Sequence, residues 1–120
     1  MADRKLYLVF SNPVEGREDE FNEWYDNVHL RDVLATPGMV SAQRYELYDT
    51  EMLRAAEEAG LPVPAHRYLI VYEMEGDVDA TMAKIQERVM SGEVVMSDSL
   101  NLETVLMSFW SPHGPKLSAS

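Results

Sequence analysis

A chain of 120 residues with 46% apolar side chains and a formal net charge of −11 is expected to form one globular domain, and its acidity disfavours nucleic acid or an anionic membrane as partner. It has no cysteine, which excludes disulfides, thiolate nucleophiles and cysteine-ligated metal and fits a cytoplasmic location. No apolar run approaches the ~20 residues that cross a bilayer.

The opening MADRKLYLVFSNP superficially resembles a signal peptide, but its apolar run is too short and no small-residue cleavage site follows. Lys5 to Ser11, with Tyr7, Val9 and Phe10, reads as a first strand ending at Asn12-Pro13. From Arg17 to Leu34, Phe21, Trp24, Tyr25 and Val28 recur at helical spacing, with Glu18, Asp19 and Glu20 suited to the first turn. Thr36-Pro37-Gly38 ends that helix, and Met39 to Tyr48 reads as strand two. Thr50 to Ala59 is a short acidic helix with Asp49 or Thr50 as N-cap, inside an inserted segment 50–65.

Arg67 to Glu75 is the clearest strand, and Val78 to Met90, with Val78, Met82, Ile85 and Val89 in phase, the clearest helix. Ser91-Gly92 stops it, and Leu102 to Ser111 is the last strand. Residues 1–112 form the domain and 113–120 a loosely held tail or an arm for a partner. The order βαβ, short helix, βαβ predicts an α+β ferredoxin-like βαββαβ sandwich with both long helices on one face of the sheet. Tyr68, Ile70, Tyr72 and Met74 alternate with Leu69 and Val71, and Val105, Met107 and Phe109 alternate with Leu106 and Trp110. Both sheet faces are therefore apolar, and a bare one needs a cover. A homodimer closed through the sheet faces is the expected solution.

The helix FNEWYDNVHLRDVL, its Pro-Gly turn and the strand VSAQRYEL resemble the dimeric α/β-barrel superfamily, in particular its EthD-like and stress-responsive branch. The element order matches over essentially the whole chain, and the specific part is about a quarter of it. The 50–65 insert has no counterpart. The resemblance implies a ferredoxin-like fold, sheets pairing into a dimeric α/β barrel, and a ligand pocket between helices and sheet. The superfamily includes cofactor-independent monooxygenases, polyketide cyclases, muconolactone isomerases and haem enzymes, so the reaction must be argued from the site. It also makes His29 the first candidate.

His29 lies four residues after Tyr25 and three before Asp32, so the three can share a helical face. A histidine can move a proton near neutrality, a carboxylate can fix its tautomer, and Tyr25 or Tyr45 can donate to a developing enolate. The alternative is a buried histidine bonded to backbone. Arg44 is either a carboxylate partner in the cavity or a salt-bridge cation held by Glu46 or a helix acid. Asn12 is either a pocket residue or part of a turn, and Trp24 is core filler or a ligand platform. Tyr72 reaches a cavity or packs across strands; His113 caps a pocket or lies on the surface. No metal is expected, because the three histidines lack ligand spacing, and no glycine-rich phosphate loop or nucleophile elbow occurs.

The leading expectation is a cofactor-independent acid/base isomerase, cyclase or lyase acting on a small apolar organic ligand with a carbonyl, lactone or phenol. The alternative is a non-catalytic, stress-associated protein that sequesters a hydrophobic metabolite. Haem handling, with His29 axial, comes third.

Overall fold

A computed structural model describes residues 4–120; the first three positions of the expected 1–112 domain lie outside the described residues. β-Branched and aromatic side chains set strands β1 (Arg4–Ser11), β2 (Met39–Glu46), β3 (Tyr68–Glu75) and β4 (Leu106–Trp110). They form one antiparallel sheet in the order β2-β3-β1-β4. Consecutive βαβ units interleave in this way only in a ferredoxin-like sandwich, as the element order predicts.

Alternation along the strands decides the two faces. Tyr7 lies opposite both Tyr72 and Phe109, and Val9 opposite both Ile70 and Met107. Tyr7, Val9, Ser11, Tyr68, Ile70, Tyr72 and Met74 are all buried. All but Ser11 join Phe21, Trp24, Tyr25 and Val33 in a single core cluster, with Val78, Met82, Ile85 and Val89 packed against it. The opposite face carries Leu6 beside Trp110, Phe10 beside Leu106 and Leu69, and Tyr45 beside Leu69. Leu6, Tyr45, Leu106 and Trp110 are exposed there.

The first long helix is not uniform. It runs as α1 (Glu18–Trp24), a π turn (Tyr25–His29) and α2 (Leu30–Leu34), with the Leu30 amide reaching back to the Tyr25 carbonyl. A π turn accommodates one extra residue. Phe21 and Val33, both buried, are twelve residues apart, which at ~100° per residue would leave them about 120° out of phase on an unbroken α-helix. The wide turn restores their alignment. Val28, which the regular spacing places under Phe21, points outward instead.

The inserted helix α3 (Glu51–Glu58) is capped by Thr50, whose hydroxyl accepts from the Leu53 amide at 3.0 Å. None of its side chains is buried. Helix α4 (Val78–Ser91) starts at Asp77, whose carboxylate accepts from the Ala80 amide at 3.1 Å, and stops at left-handed Gly92. Gly38 has φ +100°, and a Cβ there would collide with the Thr81 hydroxyl, so glycine lets the α2–β2 turn touch α4.

Two strand ends differ from expectation by more than one residue. Strand two stops at Glu46 rather than Tyr48. The last strand begins at Leu106 because Leu102–Thr104 winds into a 3-10 turn, with the Asn101 side chain accepting from the Glu103 amide at 3.1 Å. The segment between α4 and that turn folds back over the helical layer, burying Val94, Ser99 and Leu100. It is tied down by Val14 N–H to Ser99 carbonyl (2.7 Å) and Asn101 N–H to Asn12 carbonyl (3.1 Å). Among the described residues no helix is long and apolar enough to cross a membrane.

Candidate functional site

Between the helices and the sheet lies a cavity of about 450 Å³. The sheet contributes Tyr7, Val9, Ile70 and Tyr72; the first helix Tyr25, His29 and Val33; α4 Met82, Ile85, Gln86 and Val89; the end of the chain Met96, Leu100, Leu102, Val105 and Met107. Apolar walls with a few convergent polar groups are the usual make-up of a small-molecule site.

The π turn places the aromatic and imidazole groups. Trp24 and His29, five residues apart, meet with ring centroids 4.5 Å apart, and Tyr25 meets His29 edge-on at 5.3 Å. The half-buried His29 ring has its Nδ1 enclosed, with no partner in hydrogen-bond geometry. Burial lowers the His29 pKa below the usual histidine value, opposed more weakly by the Val95 backbone and by Asp32. The imidazole is therefore neutral at pH 7.

Three phenols share the cavity. Burial raises Tyr7 to about 12, with the neighbouring Tyr25 adding to the effect, and pushes Tyr72 up further. Tyr25 is raised by burial and pulled back by its contact with Ser11 (3.5 Å between hydroxyls) and by Arg44. All three stay protonated and are hydrogen-bond donors. The Tyr7 ring is stacked between Phe109 (4.7 Å) and Tyr72 (5.3 Å), so three adjacent strands lay a floor of parallel rings. Tyr7 spends its hydroxyl on Met107 Sδ at 3.1 Å.

The expected site residues divide. His29, Tyr25 and Tyr72 meet at the cavity. Trp24 lies behind them, its ring tilted against His29 and its indole N–H donated to the Val95 carbonyl at 2.9 Å. Asp32 does not hydrogen-bond the imidazole: its carboxylate accepts from the Val95 amide at 3.0 Å, and its carbonyl from Arg88 at 2.6 Å. Arg44 lies outside the cavity, its guanidinium above the Tyr25 ring at 4.9 Å and bonded to Asp26 and Asn22 at 2.8 Å each. Its partner is thus a helix acid, and its Nε is enclosed without a partner.

Asn12 is turned to the chain. It accepts from the Arg67 amide at 2.7 Å and donates to the Ala65 carbonyl at 3.2 Å, tying the end of β1 to the entry of β3. Tyr45 is on the opposite sheet face, since odd positions of β2 alternate away from the helices, and so cannot donate into this cavity. His113 is exposed in the tail and does not line the cavity. Sequence reasoning missed Tyr7, Gln86, Met96 and Leu100 as lining residues. The parity of Tyr7 with Val9 on β1 was a usable signal; nothing local announces Met96 or Leu100, because long-range backbone bonds place them.

Among the described residues no group of three or more His, Asp or Glu side chains is arranged to hold a metal. No protein-family model matches the sequence, and no curated protein matches it. Solved structures do. An EthD-family protein from Bacillus halodurans C-125 superposes with a TM-score of 0.61 at 14% identity, covering 92% of this chain and 99% of that one. The fold is EthD-like. A protein from Shewanella loihica PV-4, provisionally assigned as a monooxygenase, gives a TM-score of 0.60 at 12% identity, covering 96% of this chain and 99% of that one. At such identities the likeness speaks for the EthD-like fold and not for a reaction.

Proposed function

We propose that the protein binds a small, mostly apolar organic molecule in this cavity and moves a proton on it without a cofactor, as an isomerase, cyclase or lyase of a carbonyl, lactone or phenol. One observation carries the reading. His29 is a neutral imidazole lining a cavity whose other polar groups are phenols and one amide. With Nδ1 enclosed beside Val95, Nε2 is the nitrogen left for a ligand. It takes a proton from the carbon next to a carbonyl, or from a phenol, and the oxygen that gains charge accepts hydrogen bonds from the Tyr25 and Tyr72 hydroxyls. The imidazolium then returns the same proton to another atom of the bound molecule, so the step needs no oxidant or reductant.

Deuterium uptake from D₂O into a panel of aryl ketones, lactones and phenols, followed by NMR, tests this. Wild-type protein is expected to exchange a C–H of at least one bound compound. His29→Gln should be slower by about 10²–10⁴-fold, the usual contribution of a positioned acid/base group. Equal rates in the two proteins would remove His29 from the chemistry.

The position of Asp32 supports a second reading. Its carboxylate is engaged by Val95 instead of the imidazole, so no hydrogen-bonded anion steadies an imidazolium. A sequestering protein, in which His29 only orients the ligand, would return every bound compound without deuterium. In either reading we propose that two chains pair through their helix-free sheet faces.

A further inference from the structure

Resting on the reading of this cavity as a ligand site, we infer that it selects for molecules with no net charge and discriminates against carboxylates of the same shape. None of its sixteen lining residues is Asp, Glu, Lys or Arg, although 26% of the chain is charged. Two largely buried arginines that bond to the first helix and its end, Arg44 and Arg88, are committed elsewhere. Arg44 is bonded to Asp26 and Asn22. Arg88 donates to the Asp32 carbonyl and the Thr36 hydroxyl and pairs with Glu93. Their side chains are only 14% and 13% exposed, so neither swings in without leaving a carboxylate or a buried carbonyl behind.

Among the lining residues His29 is the one whose ordinary pKa lies near neutrality, and burial shifts it toward the uncharged form. A carboxylate entering here would lose its water and meet only neutral donors, while the surrounding net charge of −11 repels it. A cationic ligand finds no lining anion either. What the walls do offer is the Tyr25 and Tyr72 hydroxyls as donors and His29 and Gln86 as further polar contacts, a set that suits a ketone, ester, lactone or un-ionised phenol. If the ligand is a lactone or ester, a hydrolase acting on it converts it to an acid that this site no longer holds.

Calorimetric titration of the full chain at pH 7.5 with methyl 2-naphthoate, 2-naphthamide and 2-naphthoate tests the inference, since the three share one ring system and differ in charge. The ester and amide are expected to bind, with the carboxylate at least about a hundredfold weaker, the order a stranded charge demands. A Met82→Trp variant, which fills the cavity from α4 and is accepted only if it still melts cooperatively, should lose the neutral ligands. Carboxylate binding as tight as the ester would overturn the selection while leaving the ligand site standing. Binding of none of the three would sink both the selection and the site, and undiminished ester binding in Met82→Trp would move it to another surface.

Discussion

His29 links site and stability. Its folded pKa lies below its unfolded value because burial penalises the charged ring. Between those two values the unfolded chain holds more protons than the native one, so stability rises with pH through that window. The contribution is full above about pH 6.5, the unfolded histidine value, and is lost as pH falls toward the folded value. Urea midpoints taken from pH 7.5 down to 5 should therefore drop more steeply in wild type than in His29→Gln, which has no imidazole to titrate. Parallel curves would mean that the ring is no better solvated unfolded than folded. The same depressed pKa should carry a proton-transfer rate to lower pH than an ordinary histidine would allow. Asp32 and Arg44 show the limit of reading residues from spacing. Helical spacing puts Asp32 beside the imidazole, yet its carboxylate is taken by the Val95 amide, and of the two roles open to Arg44 it is the helix acid Asp26 that holds it; both partners are supplied by segments distant in sequence.

The two capped helices make a comparison in which the chemistry is equal and the surroundings are not. Asp77 caps α4, whose Val78, Met82, Ile85 and Val89 pack on the core. Asp77→Ala should cost about 1 kcal/mol of global stability, read as a lower urea midpoint at unchanged slope. Thr50 caps α3, which buries nothing. Thr50→Ala should leave the global midpoint within about 0.3 kcal/mol and instead raise amide exchange across 51–58, because that helix opens by local fluctuation. An equal global loss in both variants would show that α3 is covered by something beyond its own subunit. The elements themselves were legible, since the apolar periods of β1, β3 and α4 survive in the folded chain. The π turn was not. Helical spacing from Phe21 puts Val28 inside and says nothing of Val33, because the sequence does not mark where a helix absorbs an extra residue. The 93–101 segment is equally silent, mixing Val94, Val95, Met96 and Leu100 with polar residues at no regular period, yet it is fixed by backbone bonds to Asn12 and Val14.

At the scale of the molecule, the chain is a slab measuring 46 × 43 × 22 Å with one broad face left apolar. Leu6, Leu106 and Trp110, on neighbouring strands of that face, are exposed, a patch soluble monomers rarely keep bare. Alternation on β3 and β4 revealed this from sequence alone, because a strand with apolar residues on both faces expects two covers and only one is supplied by helices. Light scattering should give twice the chain mass at micromolar concentration, and the thermal midpoint should rise with protein concentration, as it does when folding and association are linked. Trp110→Lys should shift the mass toward one chain. A monomer with a concentration-independent midpoint would end the dimer proposal.

The wide turn at Tyr25–His29 also has a meaning in terms of insertion and deletion. In an ordinary helix, loss of one residue rotates everything beyond it by about 100° and turns the buried stripe outward. Here the turn already absorbs the surplus residue, so a chain lacking the exposed Asn27 could close into a regular helix with Phe21 and Val33 still aligned. Such a variant is expected to fold, to melt close to wild type and still to bind the neutral naphthoate ester, because Trp24 and Tyr25 then lie four and three residues before His29 and all three keep one side of a regular helix.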